Sequence, residues 1–165
     1  DLFVFSCFTG LSYSDMKGLK SSNIQEFFDG NRWIIVRRKK TATSSNVMLL
    51  DIPKMIIEKY AGLSKDGKVF PVPSNTICND GLKSISQLID CLVEKKVTFH
   101  LARHTFATLF LSEGVPLESL SKMLGHKNIA TTQIYAKILN EKVGKDMQKV
   151  SHKFKGMESS FVSQL

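Results

Sequence analysis

The chain has 165 residues, 42% of them hydrophobic, and a formal charge of +8, enough apolar material for one domain around one sizeable core. No apolar run approaches the roughly 20 residues that span a bilayer, and no signal peptide precedes a cleavage site, which excludes a membrane-spanning class. The surplus of Lys and Arg favours an anionic partner, nucleic acid ahead of an acidic membrane surface, because the basic residues are scattered and not gathered on one amphipathic helix. Cys7, Cys78 and Cys91 are odd in number, far apart and without a CxxC pair, which fits reduced thiols in a cytosolic protein better than a disulfide framework.

Taken in order, residues 1–8 form an apolar run closed by Thr9-Gly10, a helix end. The chain opens on this run without an initiator methionine and reads as a fragment lacking its N-terminal part. Ser12 or Ser14 caps a short helix running to Leu19. "RWIIVRRKK" (32–40) and "NVMLLDI" (46–52) are β-branched and aliphatic runs separated by "TATSS", a hairpin. Pro53 opens a helix through Tyr60, and "GLSKDGKVFPVPSN" is a loop. Asn79 to Leu92 carries Leu82, Ile85, Leu88, Ile89 and Leu92 at helical spacing. Further helices are expected over Phe99–Leu111, Pro116–Leu124 with Gly125 as C-cap, Asn128 or Thr131 to Leu139, and Glu141 to about Val150. The expected fold is mainly α with one small antiparallel β-hairpin, in a domain of residues 1–150 followed by a polar tail, 151–165.

The segment "HLARHTFATLFLSEGVPLESLSKMLGHKNIATTQIYAK" (100–137) gathers three of the four histidines, one of four arginines and Tyr135. His100 and Arg103 sit three apart and project from nearly one face of a helix. With His126 and Tyr135 they supply a phosphate-sized cation, two groups that exchange protons near neutral pH, and a phenol that serves as a nucleophile once its proton is taken. Each residue alone has a plainer meaning: Tyr135 a packed tyrosine, Arg103 a surface ion-pair residue, His104 a structural neighbour. His100 and His104 at a four-residue spacing lack the glutamate of HExxH, so a metal is not assigned. "GVPLESLSKMLGH" also has the pattern of a helix-turn-helix, which leaves a DNA-binding module without chemistry as the rival.

In order and spacing, "HLARHTFAT", "LGH" and the tyrosine nine residues on in "TTQIYAK" resemble the tyrosine recombinase (phage integrase) family, over nearly the whole chain. The resemblance implies that family's catalytic-domain fold, with Tyr135 as nucleophile and His100, Arg103 and His126 around the scissile phosphate. It implies a two-step transesterification through a 3′-phosphotyrosyl link, needing neither ATP nor metal nor another cofactor. It also implies double-stranded DNA attachment sites as partner, a tetramer on DNA from a domain monomeric in isolation, an accessory DNA-bending protein, and cytoplasmic, nucleoid-associated action in a bacterium. An N-terminal core-binding domain is expected outside these residues, and Phe161, Val162 and Leu165 in the tail either dock on a neighbouring protomer or form a disordered end. The phrasing further resembles integrases of Bacteroides-type mobile elements.

One family position departs. Where the family writes "TGLR", this chain writes "TGLSYSD", with Ser12 at the arginine position and Asp15 at the acidic one. Serine cannot act as a bidentate cationic clamp. Counting along the family's hairpin puts its catalytic lysine, the general acid, at Lys40, with Lys39 as the one-residue slip. Because strand side chains alternate, Arg38 shares the face of Lys40 and is expected to replace the missing arginine. A bulge would exchange these roles for Arg37 and Lys39; otherwise Arg37, Lys39 and Lys127 contact DNA backbone. Asp15 is expected to orient a basic group. The alternatives from the same residues are a type IB topoisomerase or resolvase, and a catalytically inactive DNA-binding regulator, which Ser12 favours.

Overall fold

A computed structural model of the chain describes residues 1–64, 66–88 and 97–155. Helix α1 (Leu2–Thr9) ends where Gly10 turns left-handed at φ 66° and donates its N–H to Ser6 O. Ser12 then caps α2 (Tyr13–Lys17), accepting the Asp15 N–H. Strands β1 (Ile24–Glu26), β2 (Arg32–Arg37) and β3 (Ser44–Met48) form a three-stranded antiparallel sheet in that order. Ile34 pairs with Val47, and Arg37 with Ser44. The hairpin anticipated from sequence is thus flanked by a third strand, which three residues with one apolar side chain were too short to announce.

The basic run does not stay in the ladder. β2 stops at Arg37, and residues 39–41 turn before Ala42, whose φ of 54° places a non-glycine residue in the left-handed region. Strand alternation therefore does not relate Arg38 to Lys40: Arg38 is buried at the mouth of the turn, and Lys40 is exposed within it. The Arg38 N–H donates to Thr43 O and the Arg38 carbonyl accepts the Ala42 N–H, which closes the turn.

Helix α3 (Asp51–Lys59) begins two residues ahead of Pro53, placing the proline in its first turn. The segment read as a plain loop inserts Val69 and Phe70 into the core, tied by Val69 N–H to Leu19 O. α4 (Asn75–Leu88) starts earlier than Asn79, buries Leu82 and leaves Ile85 exposed; Ile89, Cys91 and Leu92 lie outside the described residues. α5 (Phe99–Ser112) and α6 (Leu117–Met123) follow at the anticipated places. Two short 3₁₀ turns, Ile129–Thr131 and Gln133–Tyr135, replace only the first part of the helix expected from residue 128 or 131. The two expected helices after Thr131 merge into one, α7 (Ala136–Phe154), since Asn140 falls inside it and does not cap a new start. Phe161, Val162 and Leu165 lie outside the described residues.

Burial divides the core into two clusters. Phe5, Leu11, Met16, Leu19, Ile34 and Phe70 anchor the first. Val47, Phe106, Leu111, Leu120, Leu124 and Tyr135 form the second. α5 joins them, lending Phe99 to one and Phe106, Ala107 and Leu111 to the other. Arg103 occupies the same helix face between Phe99 and Phe106, so a guanidinium lies buried at the junction. Cys7 and Cys78 are free thiols, and burial raises the titration of both. No helix among the described residues is long and apolar enough to cross a membrane.

Candidate active site

The site is built around the C-terminal end of α6, where the last carbonyls of a helix lack intrahelical partners and carry partial negative charge. All three carbonyls from Met123 to Gly125 are capped from outside the helix. Ser45 of β3 donates to Met123 O, and Thr41 donates to Gly125 O at 3.2 Å. Leu124 O receives two cations at once, Arg38 Nη1 and Arg103 Nη2, each at 2.5 Å. The hairpin is thereby locked to α6, and two guanidinium groups from residues 65 positions apart in sequence converge on one atom. Gly125 makes this approach possible: its φ is 59°, and a Cβ there would stand 2.5 Å from Arg38 Cδ.

Arg103 also donates to Gly10 O at 2.5 Å, so the left-handed turn after α1 exists in part to present a carbonyl to it. Arg38 donates from Nε to Asp15 Oδ2 at 3.2 Å, a pair with side chains only 8% and 2% exposed. The other Asp15 oxygen accepts the Lys39 backbone N–H at 3.1 Å. Ser12 donates its hydroxyl to Asp15 Oδ2 at 2.6 Å while its oxygen accepts the Asp15 N–H. The serine at the arginine position thus both caps α2 and holds the carboxylate that holds Arg38. Two buried guanidiniums face one carboxylate, which leaves one positive charge at the site without a balancing anion among the described residues. Burial, followed by the charge of Arg38, lowers the titration of Arg103 to about 10.

The remaining groups surround this pair. The His126 ring exchanges a hydrogen bond between Nδ1 and Thr132 Oγ1 at 2.8 Å, with Thr132 fully buried. Burial and the charges of Arg103 and Arg38 push His126 down to about 4, so its imidazole is neutral at physiological pH. Tyr135 is 8% exposed, and its titration is raised by burial against the opposing pull of Arg103. Its hydroxyl meets His104 Nδ1 at 2.6 Å, and His104 Nε2 meets His100 Nε2 at 2.8 Å. His104, read from sequence as a structural neighbour, is therefore the direct partner of the tyrosine. The signal for this lay in its spacing: four residues beyond His100 is one turn of the same face.

A depression of about 450 Å³ opens beside Arg103, lined also by Ser12, Ser14, Asn75, Asn79 and His100. Its polar asparagines from α4 were not singled out in the sequence. Lys40 stands exposed on the hairpin turn. The Lys39 side chain lies over Gly18, with Nζ 3.2 Å from where a Cβ would be. Arg37 donates from Nε to Ala42 O at 2.8 Å, bracing the turn at the surface, and Lys127 is exposed next to His126.

This helical scaffold, with a small sheet delivering basic residues to a buried arginine, a histidine pair and a tyrosine, defines a family. The phage integrase family model matches residues 2–142, and the chain belongs to that family. The tyrosine recombinase XerA of Saccharolobus solfataricus is 34% identical over 110 residues, covering 66% of this chain and 36% of the relative. Among solved structures, a crystal structure of XerA recombinase has the same fold, with TM-score 0.67 at 24% identity over 85% of this chain and 54% of that one. The Tn1549 transposon integrase in complex with transposon right end DNA is similar at TM-score 0.66 and 19% identity, over 91% of this chain and 58% of that one. The chain spans less than two thirds of the length of each.

Proposed function

We propose that these residues form the catalytic domain of a site-specific DNA recombinase that cuts and rejoins strands through a 3′-phosphotyrosyl intermediate on Tyr135. The observation that carries the reading is the pair of buried guanidiniums, Arg38 and Arg103, that share Leu124 O with one carboxylate between them. The net positive charge suits the single negative charge of a phosphodiester, and fixed guanidiniums meet the charge that develops on its non-bridging oxygens. Arg38 thus replaces the arginine absent at Ser12. His126, neutral and tied at Nδ1 to Thr132, donates from Nε2 to the phosphate when the threonine hydroxyl is the donor of that bond. Lys40, on the exposed turn, swings onto the leaving 5′-oxygen as general acid when DNA is bound. Arg37, Lys39 and Lys127 grip backbone phosphates, and Asp15 orients Arg38.

The partner is double-stranded DNA bearing attachment sites, engaged by a tetramer assembled from protomers that are monomeric as isolated domains, with an accessory DNA-bending protein. The reaction integrates or excises a mobile element in the bacterial cytoplasm, at the nucleoid; a Bacteroides-type element is the finer assignment. Residues 1–150 make up the catalytic unit, and 151–165 dock on a neighbouring protomer. Ser12 favours a second reading, an inactive DNA-binding regulator.

A nicked suicide substrate carrying the attachment site separates the two. The full-length protein is expected to form a covalent DNA adduct, visible as a mobility shift resistant to denaturant, and Tyr135→Phe to form none while binding normally. No adduct from the wild-type protein would favour the regulator. Binding itself weakens steeply with salt in both readings, through counterion release.

A further inference from the structure

The hydrogen-bonded chain from Tyr135 through His104 to His100 has a directional consequence. If Tyr135 Oη donates to His104 Nδ1, the neutral His104 carries its proton on Nε2 and donates it to His100 Nε2, whose own proton then sits on Nδ1. Each of the two hydrogen bonds then has one donor and one acceptor, all running in one direction. The chain begins at a phenol that is nearly buried and ends at His100, which is exposed and lines the open depression beside Arg103. The His100 and His104 rings are perpendicular, 4.3 Å between centroids, so they meet edge-on through nitrogen and do not stack.

We infer that His104 is the general base for Tyr135, and that it works as the middle of a two-histidine relay discharging the nucleophile's proton to His100. This rests on the reading of Tyr135 as nucleophile. As the Tyr135 oxygen forms its bond to phosphorus, its proton passes to His104 Nδ1, and the proton on His104 Nε2 passes to His100 Nε2. The bond from phosphorus to the 5′-oxygen breaks, and that oxygen takes a proton from the general acid, Lys40 in the reading above. His100 is left as an imidazolium at the solvent edge, where water stabilises its charge. Rejoining runs the path backwards: an attacking 5′-hydroxyl returns its proton to the lysine, and the departing tyrosine is reprotonated through His104. A base in contact with the phenol is needed because burial holds Tyr135 protonated well above neutrality despite Arg103. The relay also explains why His100 need not touch the tyrosine.

The test measures single-turnover cleavage by the full-length protein on two suicide substrates, one normal and one with sulfur replacing the 5′-bridging oxygen. The sulfur leaves without a proton, so that substrate removes the need for an acid and not for a base. His104→Asn, which keeps an acceptor beside the phenol without a basic nitrogen, should slow cleavage by about 10²–10⁴-fold on both substrates. His104→Gln should behave alike, and His104→Gly should regain rate with added imidazole. Binding of site DNA at wild-type affinity marks each variant as folded. His104→Asn or His104→Gln cleaving within about threefold of wild type would overturn the relay, as would full rescue by the sulfur substrate, which would move His104 to the leaving-group side. Absence of any adduct from the wild-type protein would instead sink the recombinase reading beneath it.

Discussion

The two walls of the site are made differently. One comes from a single stretch, residues 100–135, in which α5, α6 and the 3₁₀ turn deliver His100, Arg103, His104, His126 and Tyr135. The other is assembled from separate pieces: Gly10 after α1, Ser12 and Asp15 on α2, and Arg38 at the end of β2. The first wall is held by helix periodicity and apolar packing around Phe106 and Leu120, and its polar groups take their places as by-products of that packing. The second is rooted in the first core through Leu11 and Met16, but its functional groups are set by polar contacts, the chain Ser12–Asp15–Arg38–Leu124 O. In this wall position 38 holds the guanidinium, and position 12 holds a serine bonded to the carboxylate that fixes it. It is also the wall whose failure is abrupt.

Four perturbations bear on that contrast. The largest is Asp15→Ala, which leaves Arg38 and Arg103 buried without a carboxylate; the expected loss is about 3–5 kcal/mol in urea unfolding. A loss below about 1 kcal/mol would mean that this wall does not depend on the ion pair. Next, Arg38→Ala should reduce cleavage by about 10²–10³-fold with DNA binding nearly retained, whereas Arg37→Ala should only weaken binding. Ser12→Arg in the Arg38→Ala background should recover much of the lost rate, because position 12 borders the depression beside Arg103. In the wild-type background the same change should cost roughly 0.5–2 kcal/mol of stability through loss of the α2 cap. The reverse result for Arg37 and Arg38 would assign the clamp to the bulged register.

The third perturbation is pH. His126 titrates at about 4 in the fold and near 6.5 unfolded, so between these values the unfolded chain binds more protons. Stability is therefore full above pH 6.5 and falls as pH drops toward 4. His126→Gln should flatten that slope in unfolding measured across the window; an unchanged slope would place the titration elsewhere. The smallest is Ala42→Gly. A residue with a Cβ in the left-handed region is disfavoured by roughly 1–2 kcal/mol, partly offset by the entropy glycine loses on folding. Net stabilisation of up to about 1 kcal/mol in thermal unfolding is expected, since the Arg38–Ala42 turn that seats Arg38 is preserved.

Local chemistry made much of this legible in the sequence. The glycine ending α1, the serine capping α2, the helix carrying His100 and Arg103, and the turn after α6 all follow from short-range preferences that neighbouring residues satisfy. The resemblance to the integrase family rested on those same local phrases. A local rule does not extend past the element that obeys it. Strand alternation could not place Arg38 relative to Lys40, because the ladder ends at Arg37 and the intervening residues turn. The short strand β1 and the burial of Val69 and Phe70 depend on partners far along the chain, which periodicity does not see.

The sequence alone determined which chemistries were present: a phenol, histidines at helical spacing, an arginine within an apolar helix face, and a serine where a cation was expected. Only the tertiary structure decided their partners. That Leu124 O receives two guanidiniums, that Ser12 serves Asp15, and that His104 rather than His100 meets Tyr135 are outcomes of long-range packing. Buried polar groups must find hydrogen-bond partners wherever the fold brings them, and the nearest partner in space is rarely the nearest in sequence.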